Sequence, residues 1–275
     1  MTHDMPTPQY LDRPDGLKIA YHATPGKLTD VQGDQKPGIL FLGGFMSDMT
    51  GTKATHLEAH CIKQGLAYTR FDYTGHGQSA GAFKDGTIGR WARDAVAVID
   101  EITSGPLILV GSSMGGWIML LAALARKDRV TGLVGIAAAP DFTEDLMWAQ
   151  FTDAQKSEIA EKGALIEPTE YGDDPYTITH ALIKDGRNQL LLRKPIDLNC
   201  PIRLVQGIQD PDVPWQTAIR LTDALVSKDV RVDLIKTGDH RLSEPDQLAV
   251  ITKHLDEVIE KVTPRNQRPD RHTSF

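Results

Sequence analysis

Leu107-Ile-Leu-Val-Gly111-Ser-Ser113-Met-Gly115-Gly-Trp117-Ile-Met-Leu-Leu-Ala-Ala-Leu-Ala125 is the stretch on which the reading of this chain turns. Leu107 to Val110 are apolar without alternation, which predicts a strand buried on both faces, and the helix formers from Trp117 onward predict a helix. The glycines between them mark a strand-to-helix turn. Gly111-Ser112-Ser113-Met114-Gly115 fits G-x-S-x-G, the pattern of a nucleophile elbow. Its central residue sits in a strained backbone conformation, and the flanking glycines let strand and helix approach closely. Five residues alone are a weak signal, because a glycine-rich turn of this kind can also cradle a phosphate. A P-loop needs a Lys after its second Gly, and Gly116-Trp117 supplies none.

The segments around the elbow repeat its rhythm. Residues 1–16, with Pro6, Pro8 and Pro14, read as an extended arm before a strand over Leu17–His22. Ile39–Leu42 is a second strand that runs into Gly43-Gly44-Phe45-Met46-Ser47-Asp48. Such a loop presents backbone N–H groups at the carboxyl edge of a parallel sheet, where α/β folds place their ligands. Thr52–Gln64 reads as a helix ended by Gly65, Leu66–Tyr73 as a strand, and Thr74–Gly81 as a glycine-shaped turn. His76 lies in that turn and reads as a packing residue rather than a base. Thr87–Thr103 is an amphipathic helix with Trp91, Ala95, Val98 and Ile102 on one face. Beyond the elbow come a strand over Val130–Ala139, a strand over Ile202–Gly207, a helix over Trp215–Ser227, a strand over Val230–Ile235 and a helix over Pro245–Val262. The rhythm breaks between about 141 and 195, an insertion long enough to cover a site as a lid, with Trp148 and Phe151 expected in the substrate-lining wall. Alternating strands and helices predict an α/β fold, a mostly parallel sheet covered by helices on both faces, in one domain over 17–263. The polar tail 264–275 reads as disordered.

Length and composition narrow the function classes. At 275 residues the chain can bury one large core, and 40% hydrophobic with 24% charged residues is ordinary for a globular domain. A net charge of −7 argues against a nucleic-acid surface or an anionic membrane, which call for clustered Lys and Arg. Cys61 and Cys200 have no metal or redox spacing and read as reduced structural thiols. Met1–Pro8 has neither an apolar core nor a basic flank, and no apolar run reaches membrane-spanning length, so the expectation is a cytoplasmic protein. No metal or cofactor site is expected, and nothing in the sequence sets the oligomeric state.

A serine hydroxyl is a poor nucleophile at neutral pH, so Ser113 needs a base. Where a serine elbow of this kind is catalytic, an acid and then a histidine follow in sequence, each after a later strand. Asp210 follows one such strand and His240 the next. Asp212 competes for the acid role, but Asp210 lies closer to the strand end. Asp210 would align the His240 ring, which would carry the proton from Ser113 to the leaving group. The developing oxyanion would be met by the backbone N–H groups of Met114 and Phe45.

These pieces resemble the α/β-hydrolase superfamily, and within it the branch of palmitoyl-protein thioesterases and acyl-glucuronide esterases. The likeness runs from about Gly38 to Val262 through Gly51-Thr-Lys-Ala54, Arg70-Phe-Asp-Tyr-Thr-Gly75, Val110-Gly-Ser-Ser-Met-Gly-Gly-Trp117, Asn199-Cys-Pro-Ile-Arg-Leu204 and Asp212-Val-Pro-Trp215. The resemblance implies cofactor-free hydrolysis of carboxylic esters or thioesters of an acylated or small-molecule substrate, with Ser113, Asp210 and His240 as nucleophile, acid and base. Two departures stand out: Gly43-Gly44 where His-Gly is frequent, and Gln206-Gly207 where His-Gly is usual. Hydrolysis of a C–C or peptide bond would use the same residues, and a non-catalytic binding protein would keep the fold without the chemistry. Epoxide hydrolases and haloalkane dehalogenases of this type carry Asp at the elbow, which disfavours them here.

Overall fold

The computed structural model describes residues 7–27, 36–167 and 176–263. The strands in chain order are β1 (Gln9–Asp12), β2 (Lys18–Thr24), β3 (Gly38–Leu42), β4 (Tyr68–Phe71), β5 (Leu107–Ser112), β6 (Val130–Ile136), β7 (Ala164–Glu167), β8 (Tyr176–Thr179), β9 (Ile202–Gly207) and β10 (Val230–Ile235). Eight form one sheet in the order β1-β2-β4-β3-β5-β6-β9-β10. β1 and β2 join antiparallel, as does the β2–β4 pair; every pairing from β4 to β10 is parallel. The fold is that of an α/β-hydrolase.

β5 shows why an unalternated apolar run marks the sheet centre. Leu107 and Leu109 pack into a core under the helices α2 (Ile88–Glu101) and α3 (Met114–Ala125), with Trp91 and Trp117. Ile108 and Val110 face the opposite core, shared with α1 (Thr52–Gln64) and α7 (Pro245–Val262) through Leu57, Ile251 and Leu255. A period of two on a strand buried on both faces leaves no polar position. The helices end where their punctuation predicts: Gly65 takes φ 67° and closes α1 with its N–H on the Cys61 and Ile62 carbonyls.

Two features differ from the sequence reading. Part of the expected arm is β1, paired to β2 with Leu11 opposite Ile19. Only Leu11 of its four residues is buried, so no alternation announces it. The insertion contains a π-type turn at Thr143–Trp148, α4 (Asp153–Lys162), the antiparallel β7–β8 hairpin and α5 (His180–Asn188). Its two ends are tied at Asp141, which accepts hydrogen bonds from the N–H groups of Leu191 (2.8 Å) and Leu192 (2.9 Å). α6 (Gln216–Ala224), shorter than the predicted helix, buries Leu221 in the same core as α2 and α3. The tail 264–275 lies outside the described residues.

Candidate active site

The turn from β5 into α3 forces Ser113 to φ 54°, ψ −121°, a conformation that costs a non-glycine residue about 1–3 kcal/mol. Surrounding bonds hold it there. The Ser113 N–H donates to the Ile136 carbonyl (2.9 Å), and the Ser113 carbonyl accepts from Gly116 (2.8 Å) and Ala139 (3.0 Å). Close approach explains the glycines: a Cβ on Gly111 would lie 2.4 Å from the Gly115 carbonyl oxygen, and one on Gly115 would lie 2.1 Å from that of Leu42.

β9 and β10 deliver the next two groups to the same sheet edge. The Ser113 Oγ lies 3.0 Å from His240 Nε2, and His240 Nδ1 lies 2.9 Å from Asp210 Oδ2. The remaining lone pairs of the Asp210 carboxylate are also occupied. Oδ1 accepts the N–H groups of Asp212 (2.9 Å) and Val213 (2.8 Å), and Oδ2 accepts from Gln206 Nε2 (2.9 Å). Asp212 thus contributes its backbone N–H to this chain. Gln206, buried at the end of β9, also donates to the Val213 carbonyl (2.9 Å) and so ties the acid loop to the strand. Asp210, Asp212 and His240 offer ligand atoms within 4.8 Å of one another. A cation there would have to displace the hydrogen bonds that both Asp210 and His240 already make, so the donor set suits proton transfer better than metal binding.

Opposite His240 lies the Gly43–Asp48 loop. The Phe45 and Met114 N–H groups, expected as oxyanion donors, make no hydrogen bond to a described residue; Met114 opens α3, where the first amides of a helix have no intrahelical acceptor. Within the loop the Ser47 N–H donates to the Gly44 carbonyl (3.2 Å). Further bracing comes from the turn after β4: the Met46 N–H donates to His76 Nε2 (3.3 Å), and the Met49 N–H donates to Asp72 Oδ1 (2.6 Å). Met46 is held at φ 55°. His76 is buried against Tyr73, Phe83 and Trp91, and its Nδ1 faces the Thr74 carbonyl at 3.4 Å. Burial pushes its pKa down to about 4, opposed by the Thr74 carbonyl. The imidazole is therefore neutral at pH 7, with Nε2 free to accept.

That shift has a consequence for stability. The unfolded state, with a histidine pKa near 6.5, binds a proton that the folded state refuses between about pH 6.5 and 4. The contribution is present above pH 6.5 and is lost as pH falls toward 4, by an amount on the order of 3 kcal/mol. His76→Gln, which retains a side-chain acceptor without a proton to gain, is expected to lose less melting temperature than wild type between pH 7 and pH 4.5. Thermal melts across that range check it, and parallel losses would contradict it.

The site opens into a cavity of about 660 Å³. Ser113, His240, Phe45 and Met114 reach it, and much of its apolar wall is Phe142, Leu146, Met147 and Tyr176. Trp148 and Phe151, expected in that wall, are not part of it, and this corrects the sequence reading. Leu146, Met147 and Gln150 share one face of the turn and line the cavity, which rotates Trp148 onto another face. There Arg187 lies over its ring at 4.7 Å and Lys156 at 5.6 Å. Gln206, Lys53 and the bracing role of His76 were not found by sequence reasoning. The departure at Gln206-Gly207 was the one available signal for the first of them.

Fold and site together define a serine-hydrolase-type α/β-hydrolase. The chain belongs to the Hydrolase_4 family, described as serine aminopeptidase, S33, whose model matches residues 36–187. It is 40% identical to the human mitochondrial palmitoyl-protein thioesterase ABHD10 over 92% of this chain and 80% of that protein. The bovine protein gives the same identity and coverage. Among solved structures, a putative hydrolase from Agrobacterium vitis S4 superposes with TM-score 0.86 at 40% identity, covering 92% of this chain and 98% of that one. Mouse alpha/beta hydrolase domain-containing protein 10 gives TM-score 0.84 at 37% identity, covering 94% of this chain and all of that one. Among the described residues, no helix is long and apolar enough to cross a membrane.

Proposed function

We propose that this hydrolase cleaves carboxylic esters or thioesters through an acyl-enzyme on Ser113. The observation that carries the reading is the unbroken hydrogen-bond chain from Ser113 Oγ through His240 to Asp210, with its hydroxyl end in a cavity whose wall on the side of the insertion is apolar. The names of the relatives, palmitoyl-protein thioesterases, agree with it. Ser113 Oγ attacks the carbonyl carbon as its proton passes to His240 Nε2, and Asp210 stabilises the imidazolium without taking the proton. The N–H groups of Phe45 and Met114 receive the oxyanion of the tetrahedral intermediate. Collapse breaks the bond to the alcohol or thiol, which leaves with the proton from His240. Water then attacks the acyl-enzyme, giving up its proton to the same nitrogen, and the carboxylic acid departs with Ser113 restored.

The apolar wall from Phe142, Leu146 and Met147 reads as the acyl site. Each buried methylene is worth about 0.8 kcal/mol, so four further carbons that fit raise kcat/KM by roughly a hundredfold. A series of 4-nitrophenyl esters and acyl thioesters from two to sixteen carbons is expected to peak at medium chain length. A flat or acetyl-only profile would contradict this assignment of the wall.

A further inference from the structure

Lys53 stands where ordinary folding rules disfavour a lysine. It is the second residue of α1, whose first turn holds no acid and whose N-cap Gly51 makes no side-chain hydrogen bond. A cation at a helix N-terminus opposes the helix dipole. The side chain is half-buried and lines the cavity that holds Ser113 and His240. Its ammonium donates to the Arg241 carbonyl, and among the described residues it forms no salt bridge. An ammonium has three donors, so the contact leaves capacity for a second partner. Burial also pulls its pKa down to about 8, with Asp239 opposing that and Arg241 adding to it. In a chain of net charge −7 a lysine so placed is an exception to local preference, and such exceptions concentrate at functional sites.

The location assigns the half of the substrate it would meet. Lys53 is anchored to the residue after His240, the group that protonates the departing alcohol or thiol, whereas the apolar wall comes from the insertion. We infer that Lys53 forms a leaving-group subsite for an anion, so that preferred substrates carry a carboxylate or phosphate on the alcohol or thiol side of the scissile bond. This rests on the hydrolase reading above.

The test compares two thioesters that differ by one carboxylate, S-hexanoyl-N-acetylcysteine and the neutral S-hexanoyl-N-acetylcysteamine, with hexanoyl-CoA as the phosphate-bearing arm. Wild type is expected to prefer an anionic substrate by about tenfold or more in kcat/KM, Lys53→Met to lose that preference, and Lys53→Arg to retain part of it. If Lys53 served only to hold the His240 loop, its loss would slow all three substrates alike and leave the ratios unchanged. Because each ratio is internal to one enzyme sample, a misfolded fraction cancels. A change in the N-acetylcysteine ratio identifies a carboxylate, a change confined to the CoA arm identifies a phosphate, and no change in either overturns the inference. Failure of wild type to cleave any of the three would instead overturn the ester and thioester reading, and this subsite with it.

Discussion

Ser113→Ala is expected to lower kcat by about 10⁶, or roughly 8 kcal/mol of transition-state stabilisation, with little change in melting temperature. The size follows from what is removed. The hydroxyl 3.0 Å from His240 Nε2 is the atom to which the acyl group would be transferred. The elbow itself is held by backbone bonds to Ile136, Gly116 and Ala139, none of which involves the Ser113 side chain, so the turn survives the change. The residual rate reflects binding and the oxyanion donors alone. Assay with the preferred ester checks the rate, and loss of labelling by a fluorophosphonate checks the assignment. A variant that kept more than a hundredth of wild-type kcat would contradict it.

Asp210→Asn is expected to reduce kcat by about 10⁴, an effect that arises from proton placement rather than from shape. In wild type, Oδ1 accepts two backbone N–H groups while Oδ2 accepts from His240 and Gln206. An asparagine must keep its oxygen toward the Asp212 and Val213 amides, which turns its NH₂ toward His240 and the Gln206 amide. The ring is then driven to carry its proton on Nε2 and can no longer accept one from Ser113. Opposing the asparagine NH₂ to the Gln206 NH₂ adds a destabilising donor–donor contact. Asp210→Asn/Gln206→Leu removes that contact together with the tie to the Val213 carbonyl, and is expected to leave kcat as low as Asp210→Asn alone. A variant pH–rate profile like that of wild type would contradict the role given to Asp210.

Much of this was legible in the sequence because β5 is short, uniformly apolar and followed by glycines with no freedom to change. Once that strand was placed, Asp210 and His240 could be picked out from their positions at the ends of later strands, and the structure brings both to Ser113. Other features depend on distances the sequence does not encode. Lys53 stands in the Gly51-Thr-Lys-Ala54 stretch, but it meets the Arg241 carbonyl from 188 residues away, and that contact is not written in the local sequence. His76 looks like a packed turn residue, and it is one; that its Nε2 also braces the Met46 amide emerges only when the two loops are seen side by side. Trp148 and Phe151 are expected at the cavity as aromatic residues of the insertion, yet neither lines it. Facing is set by rotation around the turn, and there the smaller Leu146 and Met147 take the inward positions. β1 leaves no mark in the sequence because a four-residue edge strand with one buried side chain has no periodicity to read.

The most direct test is mass spectrometry of the enzyme quenched in acid during turnover of a medium-chain 4-nitrophenyl ester. The acyl-enzyme account predicts a protein heavier by one acyl group, the added mass mapping to the peptide that contains Ser113 and absent from Ser113→Ala. Steady turnover by wild type and Ser113→Ala alike, or an acyl group found on a different residue, would contradict it.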